Sequence, residues 1–78
     1  MKLEIITPDK QLFSGEVTAI VLPGIDGELG VLENHAPLVT TLKKGKIKVT
    51  DSTNKEQFFE VNGGVFEVAN NKAIVLAE

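Results

Sequence analysis

The sequence predicts an all-β protein, a small β-sandwich or flattened barrel of roughly eight to ten short strands. Three observations support this fold class. Apolar residues alternate with polar ones at a period of two along most of the chain, whereas a helical period is almost absent. Turn-forming residues recur at short intervals between the apolar runs. The chain has 78 residues, so we expect one β-sandwich domain over residues 1–78.

The first elements are short strands separated by turns. Lys2–Thr7 is apolar and β-branched, and the turn residues Pro8–Lys10 end it. A short strand at Gln11–Phe13 reaches Gly15. Another strand is expected over Glu16–Leu22, with both of its faces partly covered.

Glycine is concentrated in Pro23–Gly30, where a regular strand would tolerate it poorly, so we expect a shaped loop there. Val31-Leu32 resumes a strand briefly, and Asn34–Pro37 interrupts it. The next strand is expected over Leu38–Leu42, and it ends at Lys43-Lys44-Gly45.

A hairpin is expected where Ile47–Thr50 pairs with Glu56–Val61 across the polar connection Asp51–Lys55. Phe58 and Phe59 are adjacent, so in a strand their rings point to opposite faces. Both rings can be buried only if each face is covered by a second sheet, a loop or a partner. A protein interface is therefore favoured.

The chain ends in a second predicted hairpin. Gly63-Gly64 breaks the chain, and Val65–Ala69 and Lys72–Ala77 then flank Asn70-Asn71. Asparagine tolerates the positive φ that a tight two-residue turn requires. The sequence therefore predicts a tight terminal hairpin.

Composition argues against several classes of function. Eleven acidic residues against eight lysines give a net charge of −3, the wrong sign for a nucleic-acid binder, and the chain has no arginine. The longest apolar run, Ala73–Ala77, is far too short for a membrane span, and the first residues do not form a signal peptide. We therefore expect a soluble protein used in the compartment where it is made. The chain has no cysteine and one histidine, so neither a disulfide nor a structural zinc site is expected to stabilise it.

Candidate catalytic groups are few. His35 is the only histidine, and Ser14 and Ser52 lie in expected turns, so no nucleophile with a base is predicted. The carboxylates Asp26 and Glu28 are interpreted as solvated loop residues. We predict no catalytic residue, no cofactor and no metal.

Ligand motifs are also incomplete. Asp26, Glu28, Glu33 and His35 do not match the spacing of a calcium loop. Gly45-Lys46 resembles the end of a phosphate-binding loop but lacks the rest of that motif. The basic cluster of Lys43, Lys44, Lys46 and Lys48 leaves two readings open, a solvated edge strand or a patch for an acidic partner.

Four ordered blocks of sequence resemble one family, the epsilon subunits of F-type ATP synthases. The resemblance covers practically the whole chain. The blocks are LPGIDGELGVL at 22–32, HAPL at 35–38, LKKGKI at 42–47 and FEVNGGVFEV at 59–68, followed by Val75-Leu76-Ala77.

The resemblance implies the N-terminal β-sandwich of a non-catalytic rotor subunit in the central stalk. Such a subunit binds the gamma subunit and the membrane c-ring and couples ion flow to ATP synthesis. It implies that gamma contacts His35, Ala36, Pro37, Leu38 and Thr40. It implies that the c-ring contacts Asp26, Gly27 and Glu28.

The family commonly continues into an inhibitory C-terminal helical hairpin, and the sequence stops at Glu78 where that hairpin would begin. A naturally short epsilon subunit and a trimmed form are both open, and the natural form is mildly favoured. The expected location is the cytoplasmic face of a bacterial inner membrane, as a peripheral part of the complex. A free-standing ligand-binding or interaction module is the alternative, although the chain has no Trp or Tyr for an aromatic site.

Overall fold

The computed structural model describes residues 1–78 as nine β-strands and no helix, within extents of 27 × 23 × 18 Å. The all-β prediction and its strand number are confirmed. The strands are β1 (Lys2–Ile6), β2 (Gln11–Glu16), β3 (Ala19–Gly24), β4 (Gly27–Leu32), β5 (Leu38–Leu42), β6 (Gly45–Thr50), β7 (Glu56–Val61), β8 (Gly64–Ala69) and β9 (Lys72–Ala77). The structure contains no helix with the length and hydrophobicity needed to cross a membrane.

The strands form one continuous ladder in the order β2-β1-β9-β8-β5-β3-β6-β7, and β4 pairs with the other edge of β3. All pairings are antiparallel except the parallel pair β1 and β9. The ladder folds into two layers. One layer contains β4, β3, β6 and β7, and the other contains β5, β8, β9, β1 and β2.

The core lies between the layers, and all of its side chains are apolar. It contains 16 buried hydrophobic residues, and no polar or charged residue is buried. The largest fully buried side chains are those of Phe66, Leu3, Ile5, Ile20, Leu22 and Ile47. Burial of each such side chain contributes about 1.5–3 kcal/mol. Because the chain offers no disulfide, this core is its main source of stability.

The outer edges of the ladder meet through two phenylalanines. The rings of Phe13 on β2 and Phe59 on β7 lie 5.6 Å apart at 60°, a favourable tilted contact between strands that do not pair. Phe58, the neighbour of Phe59, is 58% exposed on the other face of β7. The two adjacent rings thus point in opposite directions, as predicted, and no element of this chain covers the second ring.

The prediction of a shaped loop over Pro23–Gly30 is wrong. β3 continues through Pro23 to Gly24, and β4 begins at Gly27, so only Ile25 and Asp26 form the turn of a tight hairpin. Glycine is tolerated because β4 is an edge strand, and Gly27 takes a φ of 131° that closes the turn. A regular hairpin therefore holds Glu28 in a strand.

Five other predicted boundaries shift. β1 ends at Ile6, before Thr7, and β6 starts at Gly45, before Ile47. β2 extends through Ser14 to Glu16, so Ser14 lies in a strand and not in a turn. β3 starts at Ala19, because the chain turns a corner at Val17 and Thr18, whose N–H groups donate to the carbonyls of Met1 and Thr50 at 2.8 Å each. Gly64, expected in a break, is the first residue of β8.

Both predicted hairpins in the second half are confirmed. β6 pairs with β7 from Gly45 and Val61 to Thr50 and Glu56. In their connection the Asp51 carboxylate accepts hydrogen bonds from the Thr53 hydroxyl, the Thr53 N–H and the Lys55 N–H at 2.7–3.1 Å. The hydrogen bonds from Thr53 and Lys55 hold the pKa of this carboxyl below its ordinary value.

Candidate functional site

The residues that the family resemblance singled out lie in the β4–β5 loop, in the first half of β5 and in the β3–β4 hairpin. The loop contains Glu33 to Pro37. Its His35 N–H donates to the Leu32 carbonyl at 3.3 Å, and His35 Nδ1 lies 2.7 Å from the Ala36 carbonyl oxygen. His35 is thus half-buried and hydrogen-bonded to its own loop, whereas Ala36 and Pro37 are exposed.

The base of this loop is fixed to the start of the chain. The buried α-ammonium of Met1 lies 2.9 Å from a Glu33 carboxylate oxygen, 3.1 Å from the Val17 carbonyl and 3.5 Å from Glu16. The hydrogen bond that the ammonium donates to Glu33 is the largest cause that raises the pKa of the ammonium above its ordinary value, and burial opposes it. The loop is therefore anchored through its first residue.

The hairpin turn presents two free carboxylates. Asp26, Gly27 and Glu28 are all exposed, and neither carboxylate makes an ion pair or a side-chain hydrogen bond. Because a two-residue turn on a paired hairpin is short and well supported, the carboxylates are held at a defined place on the surface.

The structure places two residues of the predicted gamma contact beside the predicted c-ring contact. A groove of about 230 Å³ is lined by Gly24, Asp26, Gly27, Glu28, Leu29, Leu38 and Thr40. Leu38 and Thr40 are half-buried and share this groove with the hairpin turn. The loop His35–Pro37 lies at the opposite end of β5, since Leu42 at the other end pairs with Gly24 at the base of the turn.

A surface that the sequence analysis missed lies on the outside of the layer that contains β1, β9, β8 and β5. We call it the outer face and define it by Ile6, Val39, Val65, Ile74 and Leu76. Leu76 sits opposite Ile6 on one neighbouring strand and opposite Val65 on the other. Val39, Val65 and Leu76 are 63%, 41% and 51% exposed.

The outer face has one continuous apolar row beside a mixed row. Ile6, Leu76 and Val65 form the apolar row across three strands, and Thr41 ends it on β5. In the mixed row Ile74 lies between Glu4 and Glu67, and Glu67 separates Ile74 from Val39. A shallow recess of about 260 Å³, lined by Ile6, Thr7, Pro8, Leu76 and Ala77, extends the row. An exposed apolar row of this kind is a common feature of protein-binding sites.

The outside of the other layer, which contains β4, β3, β6 and β7, has no comparable apolar row. Phe58 on β7 and Leu32 on β4 are exposed, but these strands are the two edges of the layer. Lys48 lies directly opposite Phe58 and pairs with Glu56 at 3.6 Å. The apolar residues of this side are therefore scattered and separated by charges.

The outer face could have been predicted from the alternation pattern of β8 and β9. In β8 and β9 both phases of the alternation are apolar, as in Val65-Phe66 and Val75-Leu76-Ala77. A strand with one face in the core and the other in water carries polar residues in one phase. Apolar residues in both phases indicate a second covered face.

The remaining candidate groups do not converge. No three Asp, Glu or His side chains come close enough together to hold a metal ion. A cleft of about 400 Å³ is lined by Lys44, Gly45, Lys46, Glu60, Val61 and Asn62. Within the basic cluster only Lys48 forms an ion pair. Ser14 is exposed on β2, and His35 Nδ1 lies against the Ala36 carbonyl and not against a serine hydroxyl.

The family model and the similar proteins of known name all point to the same protein family. The family model described as the ATP synthase, Delta/Epsilon chain, beta-sandwich domain matches residues 1–78. The ATP synthase epsilon chain of Chlorobium limicola is 49% identical over 99% of this chain and 88% of its own length. The epsilon chain of Dichelobacter nodosus is 49% identical over 95% of this chain but only 52% of its own length.

Solved structures with a similar fold also come from ATP synthases. A chain of the Euglena gracilis mitochondrial ATP synthase, in a structure of OSCP, F1 and c-ring, superposes with a TM-score of 0.90 at 26% identity, over 96% of this chain and 48% of that one. A chain of the Tetrahymena thermophila central stalk and c-ring structure shows the same fold, with a TM-score of 0.81 at 18% identity, over 99% of this chain and 62% of that one. Because the family model matches every residue of the fold described above, the chain belongs to the delta/epsilon chain family of ATP synthase.

Proposed function

We propose that this chain is a non-catalytic rotor subunit of the central stalk of an F-type ATP synthase. In this role it binds the gamma subunit and the c-ring and couples ion flow to ATP synthesis. The proposal assigns it no catalytic residue, cofactor or metal. It places the subunit at the cytoplasmic face of a bacterial inner membrane, as a peripheral part of the complex. The observation that carries the proposal is the outer face, an apolar surface that a lone small domain would leave in water.

The gamma subunit is the proposed occupant of the outer face and of the adjoining loop. The contact runs from His35, Ala36 and Pro37 onto β5. There Val39 points to the outer face, and Leu38 and Thr40 point to the groove side, because neighbouring residues of a strand alternate. Burial of the outer face against gamma supplies affinity, and the exposed loop supplies register.

The c-ring is the proposed partner of Asp26, Gly27 and Glu28. Two exposed, unpaired carboxylates on a short turn suit the amides and cationic side chains of polar loops. An exposed ion pair contributes only about 0–1 kcal/mol, so this contact sets orientation more than affinity.

Reversal of both charges tests the c-ring contact. We expect the double variant Asp26→Lys, Glu28→Lys to bind isolated gamma normally but to lower proton pumping per ATP hydrolysed in vesicles with reassembled synthase. Like charges would then face each other across the contact. Removal of one charge by Glu28→Gln should change the ratio little.

The matched control is Asp9→Lys, Glu60→Lys, which makes the same change in net charge at two exposed acids outside the hairpin turn. This control should pump normally. An unaltered pumping ratio in the Asp26, Glu28 variant, at normal occupancy in the complex, would exclude the hairpin turn from the c-ring contact.

A further inference from the structure

Asn71 occupies a position where glycine would be the ordinary choice. It is the second residue of the two-residue turn between β8 and β9, with a φ of 59°, and Asn70 before it has a φ of 52°. This is the geometry of a type I′ turn, in which Asn followed by Gly is strongly preferred. A side chain with a positive φ costs conformational energy that glycine would avoid. The presence of a side chain at this position therefore needs a reason.

The contacts of Asn71 supply that reason. Its Oδ1 accepts a hydrogen bond of 2.7 Å from the N–H of Asn34, which belongs to the β4–β5 loop. Its main-chain carbonyl accepts from the N–H of Lys2 at 3.2 Å. Asn70 in the same turn makes no side-chain hydrogen bond. Asn71 is thus the one turn residue whose side chain reaches the loop.

The hydrogen bond fixes the loop at a residue whose backbone has a positive φ. Asn34 also has a positive φ, of 62°, immediately before His35, Ala36 and Pro37. The side chain of Asn71 fixes this bend from a neighbouring hairpin, and the ion pair of Glu33 with the α-ammonium fixes the residue before it. Ala36 and Pro37 are left exposed on a loop whose first two residues are both anchored.

We propose that Asn71 is a positioning residue for the partner-binding loop. It holds Asn34 in its bend, so that Ala36 and Pro37 meet a protein partner in a preformed conformation. This inference rests on the proposed function in naming gamma as that partner.

The test compares three variants at the turn. Asn71→Gly removes the acceptor and keeps the positive φ, Asn70→Gly makes the same change where no side-chain bond is lost, and Asn71→Asp keeps an acceptor oxygen. Hydrogen exchange at the Asn34 amide of the isolated protein should be about fivefold faster in Asn71→Gly, the value expected for one lost hydrogen bond. Affinity for gamma should fall by a similar factor. Asn70→Gly and Asn71→Asp should behave like the parent protein in both measurements, and all three should melt close to it.

Unchanged exchange at Asn34 in Asn71→Gly would overturn the inference, because the bond would then not hold the loop. Faster exchange with unchanged affinity for gamma would overturn it as well, because the loop conformation would not matter to the partner. Failure of the parent protein to bind gamma is a separate result. It would refute the proposed function, whereas the exchange measurement on the isolated protein still reports whether Asn71 holds the loop.

Discussion

A single charge placed at the centre of the outer face should remove binding of gamma. We expect Leu76→Glu to weaken the affinity for gamma by about a hundredfold or more, since a hot-spot residue near the centre of an interface contributes about 2 kcal/mol or more and the new carboxylate would be buried without a partner. Leu76 is half exposed in the isolated protein, so its replacement should leave the fold intact.

Leu32→Glu is the matched control for this prediction. It makes the same chemical change at a leucine that is 66% exposed, but on the outside of the other layer. Titration of gamma in a calorimeter should show normal binding by Leu32→Glu and none by Leu76→Glu. Normal binding by both variants, or loss confined to Leu32→Glu, would place the gamma contact elsewhere.

Addition of one methyl group at Gly64 should destabilise the fold by about 3 kcal/mol or more, through backbone strain and overpacking together. Gly64 has a φ of 142°, where side chains are rarely found. A Cβ at this position would fall against the Leu76 carbonyl oxygen and 3.0 Å from the Ala77 Cα, both parts of the paired backbone of β9. A domain of this size is stable by only about 5–10 kcal/mol, so the loss is a large part of the total.

Gly30→Ala provides the comparison, because Gly30 lies in β4 with no atom within 4 Å of the added methyl group. Urea unfolding should show a much lower midpoint for Gly64→Ala and a nearly unchanged one for Gly30→Ala. Similar midpoints for both variants would mean that the approach of β9 to Gly64 is not a constraint on this fold.

Three glycines also show what the sequence could and could not predict. Period-two alternation was enough for most of the strands, because they have a face toward the core, but it missed the glycine-containing part of β4. The role of each glycine was not predictable. Gly27 closes a turn, Gly30 lies in an ordinary strand and Gly64 allows close approach of two strands, and only the neighbours in space distinguish them.

The candidate site was predictable only in part. The resemblance pointed to the loop and the hairpin turn, but it did not show that Leu38 and Thr40 share a groove with the turn. The outer face depends on the register that puts Leu76 between Ile6 and Val65, and register is set by pairings far apart in the chain.

We propose that this small sandwich binds the gamma subunit through the outer face and the adjoining loop. The most direct measurement is to mix the protein with purified gamma subunit and to follow both on a sizing column. We predict that the two elute together as a complex earlier than either alone, and that Leu76→Glu elutes apart from gamma. Separate elution of the parent protein and gamma at micromolar concentrations would contradict the claim.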